Sequence, residues 1–319
     1  MTRYILRRLV IMVPVAFLAS VILFTLLKLT PGDPVQIMLG ERATPENSAA
    51  LRHELGLDQP YPVQYLAWLG RVAQGDFGKS LRNGGPVANE IQARLPATFQ
   101  LGLAALVLGI VVALPMGILA AVFRRSPVGF FATAFSQVGI AIPGFFVGLV
   151  LIYVFSLQLR WFPPGSYTAF TDSPPEWLRR LVLPALTLSL FGAATQTRFI
   201  RSGLLDTLHQ DYMRTARAKG FSESSVILRH ALRNALIPTI TLLGLQFGAI
   251  LEGGFIVESV YAWPGVGRYA VQSLGARDYP VVQAVVLLAV FIFLGVNLLV
   301  DIAYAYLDPR ISLTRSRRT

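Results

Sequence analysis

Six stretches of this chain carry no charged side chain for long enough to cross a lipid bilayer: 9–27, 95–123, 126–159, 181–197, 234–251 and 279–300. About 17–25 apolar residues in a helix span the ~30 Å hydrocarbon layer. The run 181–197 sits at the short limit, and 126–159 has room for a loop. Backbone amides in hydrocarbon have no water to bond, so long apolar runs of this kind cross as helices. An all-α integral membrane protein with six transmembrane helices is therefore expected. Composition agrees, with 54% hydrophobic and 14% charged residues and a mean hydropathy of +0.57.

A net charge of +11 raises nucleic acid as a partner, but the placement of the charges argues for membrane topology instead. With the N-terminus inside, the cytoplasmic segments gather Arg3, Arg7, Arg8, Arg124, Arg125, the Lys and Arg residues from Arg198 to Arg233, and Arg310, Arg315, Arg317 and Arg318. The short outer segment 252–278 holds only Arg268 and Arg277. This is the positive-inside bias, and it puts both termini in the cytoplasm. Lipid is the expected surrounding, and nucleic acid is not an expected partner. The first apolar run is too long for a secretory signal core, and no small-residue cleavage site follows Lys28. It reads as an uncleaved first helix, 1–30, closed by Thr30-Pro31-Gly32-Asp33-Pro34.

Residues 31–94 read as an extracytoplasmic insertion, and 95–319 as the core with the remaining five spans. Within the insertion, Thr44 as cap, Pro45 and Gly56 bracket one helix, and 62–73 forms another. The insertion is expected to pack over the outer mouth. The run from Ala73 to Ser80 fits a loose phosphate-loop pattern with Ala in place of the first glycine. A phosphate loop joins a strand to a helix, whereas a helical segment precedes this one, so a turn is expected.

Several positions within the spans are candidates for a translocation pathway. Pro143 beside Gly144 breaks the helical ladder, as a packing kink or as a bend lining a passage. Gly244 and Gly248 allow a close helix approach, and Gln246 lies between them. Glu252 is an acid near the outer end of a span, either a solvated interfacial carboxylate or a functional group. The chain has no cysteine, its three histidines are scattered, and no HExxH or G-x-S-x-G motif occurs. No catalytic residue, metal site or cofactor is expected. The spans hold no His, Cys or carboxylate cluster, which disfavours naked metal as cargo.

The most informative interruption is the basic loop at about 204–233. Residues 211–219 read as a short helix stopped by Gly220, and Ser222 caps a second one with Glu223 in its first turn. Ala216 and Gly220 lie four apart and leave one face nearly bare, with Arg214, Arg217 and Lys219 around it. Such a hairpin is either a solvated element that sets topology or a docking element for a cytosolic partner.

The residues from Asp211 to Gly220, DYMRTARAKG, followed by HALRNALIP, resemble the EAA loop of permease subunits of bacterial ABC importers. They are most similar to the dipeptide/oligopeptide/nickel branch. GDP at 32–34, LGLDQP at 55–60, the WPG-x-GR block at 263–268, Arg277-Asp278-Tyr279-Pro280, Asn297 to Asp301 and Asp308-Pro309-Arg310 resemble blocks of the same branch. The resemblance implies the type I importer fold and a place in the bacterial inner membrane. It also implies a second homologous permease, one or two cytoplasmic ATPases that hold the ATP and magnesium, and an extracytoplasmic substrate-binding protein. Asp211, Tyr212, Arg214, Thr215, Ala216, Arg217, Lys219 and Gly220 would then form the helix that couples the ATPases to transport. Short peptides are the implied cargo, with nickel chelates and glutathione as alternatives within the same architecture. A passive channel or ion-coupled transporter would show paired intramembrane charges, for which only Glu252 and Asp301 are near candidates. An intramembrane enzyme would need a nucleophile with its base, or a metal cluster.

Overall fold

A computed structural model describes residues 2–29, 33–39, 43–54 and 56–307, and among them the regular structure is helical. The block at 308–310 and the arginines beyond it lie outside the described residues. In chain order the helices are α1 (Thr2–Leu29), α2 (Pro34–Leu39), α3 (Pro45–Glu54), α4 (Tyr61–Ala73), α5 (Val87–Val122), α6 (Pro127–Ala141) and α7 (Gly144–Leu151). They continue with α8 (Pro174–Leu208), α9 (Asp211–Ala218), α10 (Glu223–Ser225), α11 (Leu232–Val260), α12 (Val266–Gly275) and α13 (Tyr279–Leu307). Wider π turns extend α7 through Gln158 and join α10 to α11. Among the described residues, four helices are long and apolar enough to cross a membrane, or five if the bent pair α6 and α7 counts as one span. The apolar run 234–251 falls on α11, which is 29 residues long.

The chain divides into two compact units, Met1–Thr98 with Pro264–Leu298, and Phe99–Trp263 with Leu299–Thr319. The boundary expected at 94/95 falls inside α5, a continuous helix of 36 residues.

In the first unit the local signals act as read. Thr44 Oγ1 accepts from the Asn47 amide while Asn47 Oδ1 accepts from the Thr44 amide, a reciprocal cap that starts α3. Gly56 takes a positive φ of 65° just beyond it. Within the insertion α4 lies against α1, with Tyr65 edge-on to Phe17 and Phe24. The phosphate-loop look-alike is a turn after α4, with Gly75 and Gly78 at positive φ and Lys79 bridged to Pro86. Ser80 Oγ and the Leu81 amide both donate to the buried Asp278 carboxylate, which ties this turn to the start of α13.

In the second unit α8 is the centre of packing. Its apolar run is short because the helix outlasts it at both ends, where Arg179 pairs with Glu176 and Arg201 donates to the Ala120 carbonyl. Leu183, Ala185, Gly192, Ala193 and Ala194 are among its buried residues, so neighbouring helices approach closely. At Gly139 of α6 an added Cβ would stand 2.7 Å from the Ala194 methyl, which only glycine avoids.

Candidate functional site

The short helix α9 is mounted on the helices that frame the second unit. Met213 is fully buried and Ala216 is 8% exposed, both in a core with Ala113 and Ala121 of α5, Ile200 and Leu204 of α8, and Val226, Ala231 and Ala235. Protein interiors are close-packed, so α9 cannot move without repacking or carrying these partners. Gly220 ends the helix with φ at +81°, a conformation that only glycine adopts without strain. Ser222 Oγ accepts from the Ser225 amide and caps α10. The Arg217 guanidinium donates twice to Glu223, at 3.0 and 2.8 Å, and clamps α9 to α10. These hydrogen bonds hold the Glu223 carboxyl below its ordinary value. Because its folded pKa is depressed, the clamp is complete at neutral pH and is lost only as pH falls through that lowered value.

This mounting corrects one expectation. The bare face expected from Ala216 and Gly220 is divided: Ala216 packs into the chain's own core, whereas Gly220 is exposed. The small side chain of Ala216 lets α9 approach α5 and α8. The face left outward carries Asp211, Tyr212, Arg214, Thr215, Ala218, Lys219 and Gly220, with Phe221 beyond it. Tyr212 is 46% and Phe221 47% exposed, so apolar surface accompanies the positive charge. The Tyr212 hydroxyl accepts from Asn234 Nδ2 at 2.9 Å, fixing its ring beside the start of α11.

A second feature lies within the membrane-spanning part of the same unit. Proline disfavours helical geometry in the residue before it. Ile142 accordingly takes φ −84° and ψ 128° and ends α6, while the Pro143 carbonyl opens the first turn of α7. The two helices diverge by 110°. The Pro143–Gly144 signal therefore marks a break, larger than a kink. A cavity of about 490 Å³ opens at it, lined by Ile140 to Phe145, Leu188, Phe191, Gln246 and Ile250, and is mainly apolar.

Of the expected pathway residues, Pro143, Gly144 and Gln246 line this cavity. Gly248 is buried on α11. Gly244 and Glu252 also lie on α11, but their side-chain environments fall outside the described residues. Gln246, which lines the cavity, also joins two helices. Its Nε2 donates to the Gly192 carbonyl at 2.9 Å and its Oε1 accepts from Gln196 Nε2, so its amide ties α11 to α8. Three further residues escaped the sequence reading. Thr187 and Tyr261 share a hydroxyl–hydroxyl bond of 2.8 Å, and Tyr261 also donates to the Gly148 carbonyl. Glu258 is an acid buried to 1% exposure near the end of α11. Its signal was its place just before the Tyr261–Trp263 turn, where both aromatics are buried.

Residues 113–313 match the family described as binding-protein-dependent transport system inner membrane component, and 1–102 match the N-terminal region of such membrane components. The oligopeptide transport system permease protein AppB of Bacillus subtilis (strain 168) is 40% identical over 314 residues, covering 98% of this chain and 99% of AppB. The glutathione transport system permease protein GsiC of Escherichia coli O1:K1 / APEC is 42% identical over 311 residues, again with 98% and 99% covered. A solved amino acid ABC transporter shares the fold, with a TM-score of 0.54 at 18% identity over 68% of this chain and 94% of that one.

Proposed function

The chain belongs to the family of binding-protein-dependent transport system inner membrane components, and on that footing we propose that it is the permease subunit of an ATP-driven importer of short peptides. The observation that carries this reading is the 40% identity, over nearly the whole length of both chains, to AppB, named as an oligopeptide transport system permease protein. The subunit sits in the bacterial inner membrane with six spans and both termini in the cytoplasm. It pairs with a homologous second permease, one or two cytoplasmic ATPases and an extracytoplasmic binding protein. The chain is not itself an enzyme: ATP and magnesium are held by the ATPases.

In this reading the ATPases meet the outward face of α9, where Arg214 and Lys219 supply charge and Tyr212 and Phe221 supply apolar contact. Their closure displaces α9. The packing of Met213 and Ala216 passes the displacement to α5, α8 and α11, two of which wall the cavity at the α6–α7 break. A mostly apolar cavity, with no charged side chain among its described lining residues, suits varied side chains held weakly enough to be released. The test is uptake in cells whose only intact importer contains this chain. Labelled di- and oligopeptides are expected to accumulate and to compete with one another. GsiC supports a second reading, glutathione, which would show as uptake of that tripeptide uncontested by other peptides. Nickel accumulation that peptides neither supply nor compete for would overturn the peptide reading and leave the importer architecture standing.

A further inference from the structure

α3 and α4 both belong to the segment between the first two spans, and neither has a buried residue. Their exposed surfaces differ in kind. α3 carries Glu46, Asn47, Arg52, His53 and Glu54, side chains content in water. α4 reads YPVQYLAWLGRVA, with Arg71 its single charge. Tyr61 is 66%, Val63 49% and Leu66 65% exposed. In water such a cluster is costly in proportion to its apolar area, and soluble surfaces seldom gather one without a partner to cover it.

The position of α4 on α1 indicates what that partner is. The apolar stretch of α1 ends at Leu26. Trp68 packs on Phe24 at 5.8 Å, and Tyr65 on Phe24 at 5.5 Å. The Tyr65 hydroxyl reaches inward to Ser20 Oγ at 2.8 Å. At the other edge Lys28 Nζ donates to Gln64 Oε1 at 2.6 Å and lies over the rings of Phe24 and Tyr61. α4 thus sits level with the end of the span, aromatic rings toward hydrocarbon and a lysine at the polar edge. Tyr, Trp and Lys take these places at membrane–water boundaries. On the side of α1 turned away from α4, Leu18, Ile22, Leu26 and Leu29 are exposed, as a helix surrounded by lipid requires.

We infer that α4 is an interfacial helix, lying in the membrane surface with Tyr61, Val63 and Leu66 among the lipids. It anchors the segment 31–86 to the bilayer beside α1. This rests on α1 spanning the membrane and is independent of cargo and of the role of α9.

Single cysteines at Val63, Leu66 and, as a water-facing reference, the exposed Ala49 of α3 can be spin-labelled because the chain has no cysteine. The assembled importer is placed in phosphatidylethanolamine/phosphatidylglycerol vesicles, with the unsubstituted chain giving the background. Collision with oxygen, which concentrates in lipid, is compared with collision with a neutral nickel chelate, which stays in water. The label at 66 should favour oxygen and the label at 49 the chelate, reversing the ratio. Chelate access at 66 equal to that at 49 would put α4 in water and overturn the inference. Protection at 66 from both reagents would overturn it equally, by showing that protein covers this face. Leu66→Ser provides a second reading that needs no label: near-normal uptake with α4 more exposed to protease is expected, and unchanged protease resistance would count against lipid anchoring.

Discussion

Leucine in place of Ala216 is expected to abolish peptide uptake and lower the thermal stability of the subunit, whereas leucine in place of Ala218 should leave stability unchanged. The two alanines are two residues apart on one short helix and differ in the side they present. Ala216 is set in the core with Ala113, Ile200 and Leu204, while Ala218 is exposed. Forcing a larger side chain into a packed site costs about 1–3 kcal/mol. At 216 that strain would fall on α5, α8 and α11 together and shift α9 from its seat. At 218 the larger side chain meets solvent in the isolated subunit and, in the proposed docking, the ATPase in the complex, so only coupling should suffer. Thermal unfolding of the purified variants with ATPase and uptake assays of the complexes separates the two. Equal stability loss at both positions would mean that α9 is not seated as described.

The second large effect concerns the glutamine pair inside the helical bundle. Gln196→Leu should destabilise the subunit by about 1–3 kcal/mol, because Gln246 Oε1 then loses its donor while remaining buried. Hydrogen bonds between membrane helices average less than this, so the lower end of the range applies. Replacing both glutamines by leucine removes donor and acceptor together and should recover most of the loss. Thermal unfolding of the two single variants and the double variant checks this. A double variant as weak as the sum of the singles would show that the amides are not partners.

Local chemistry was legible in the sequence where a few adjacent residues decide the outcome. Ser222 caps its helix, Gly220 takes the left-handed conformation, and Thr44 starts α3, each needing only neighbours in the chain. The proline at 143 announced an interruption, but the angle of 110° depends on where α6 and α7 pack on α8, which periodicity does not carry. The bare face of α9 splits, Ala216 inward and Gly220 exposed, for a related reason. Spacing tells which residues share a face and says nothing of whether that face meets solvent, a partner or its own chain. Met213 held the missing clue: an apolar side chain three residues before Ala216 marks that side as inward. The partner of Gln246 is 50 residues away, and no local pattern links the two. Glu252 drew attention through its position in an apolar run; Glu258, further along the same helix, is buried and its backbone carbonyl accepts from the amide of the buried Trp263.

The central claim is that the outward face of α9 receives force from the ATPases while its inward face delivers it to the helices. Disulfide or short-linker crosslinking in the assembled complex during ATP turnover tests this, using single cysteines at Thr215, Ala216, Ala218 and Lys219 in a chain that has none of its own. The account predicts links to an ATPase subunit from 215, 218 and 219 that change with nucleotide, and none from 216. Links from 216 with silence at the other three would contradict it, and no link from any of the four would remove α9 as the coupling element.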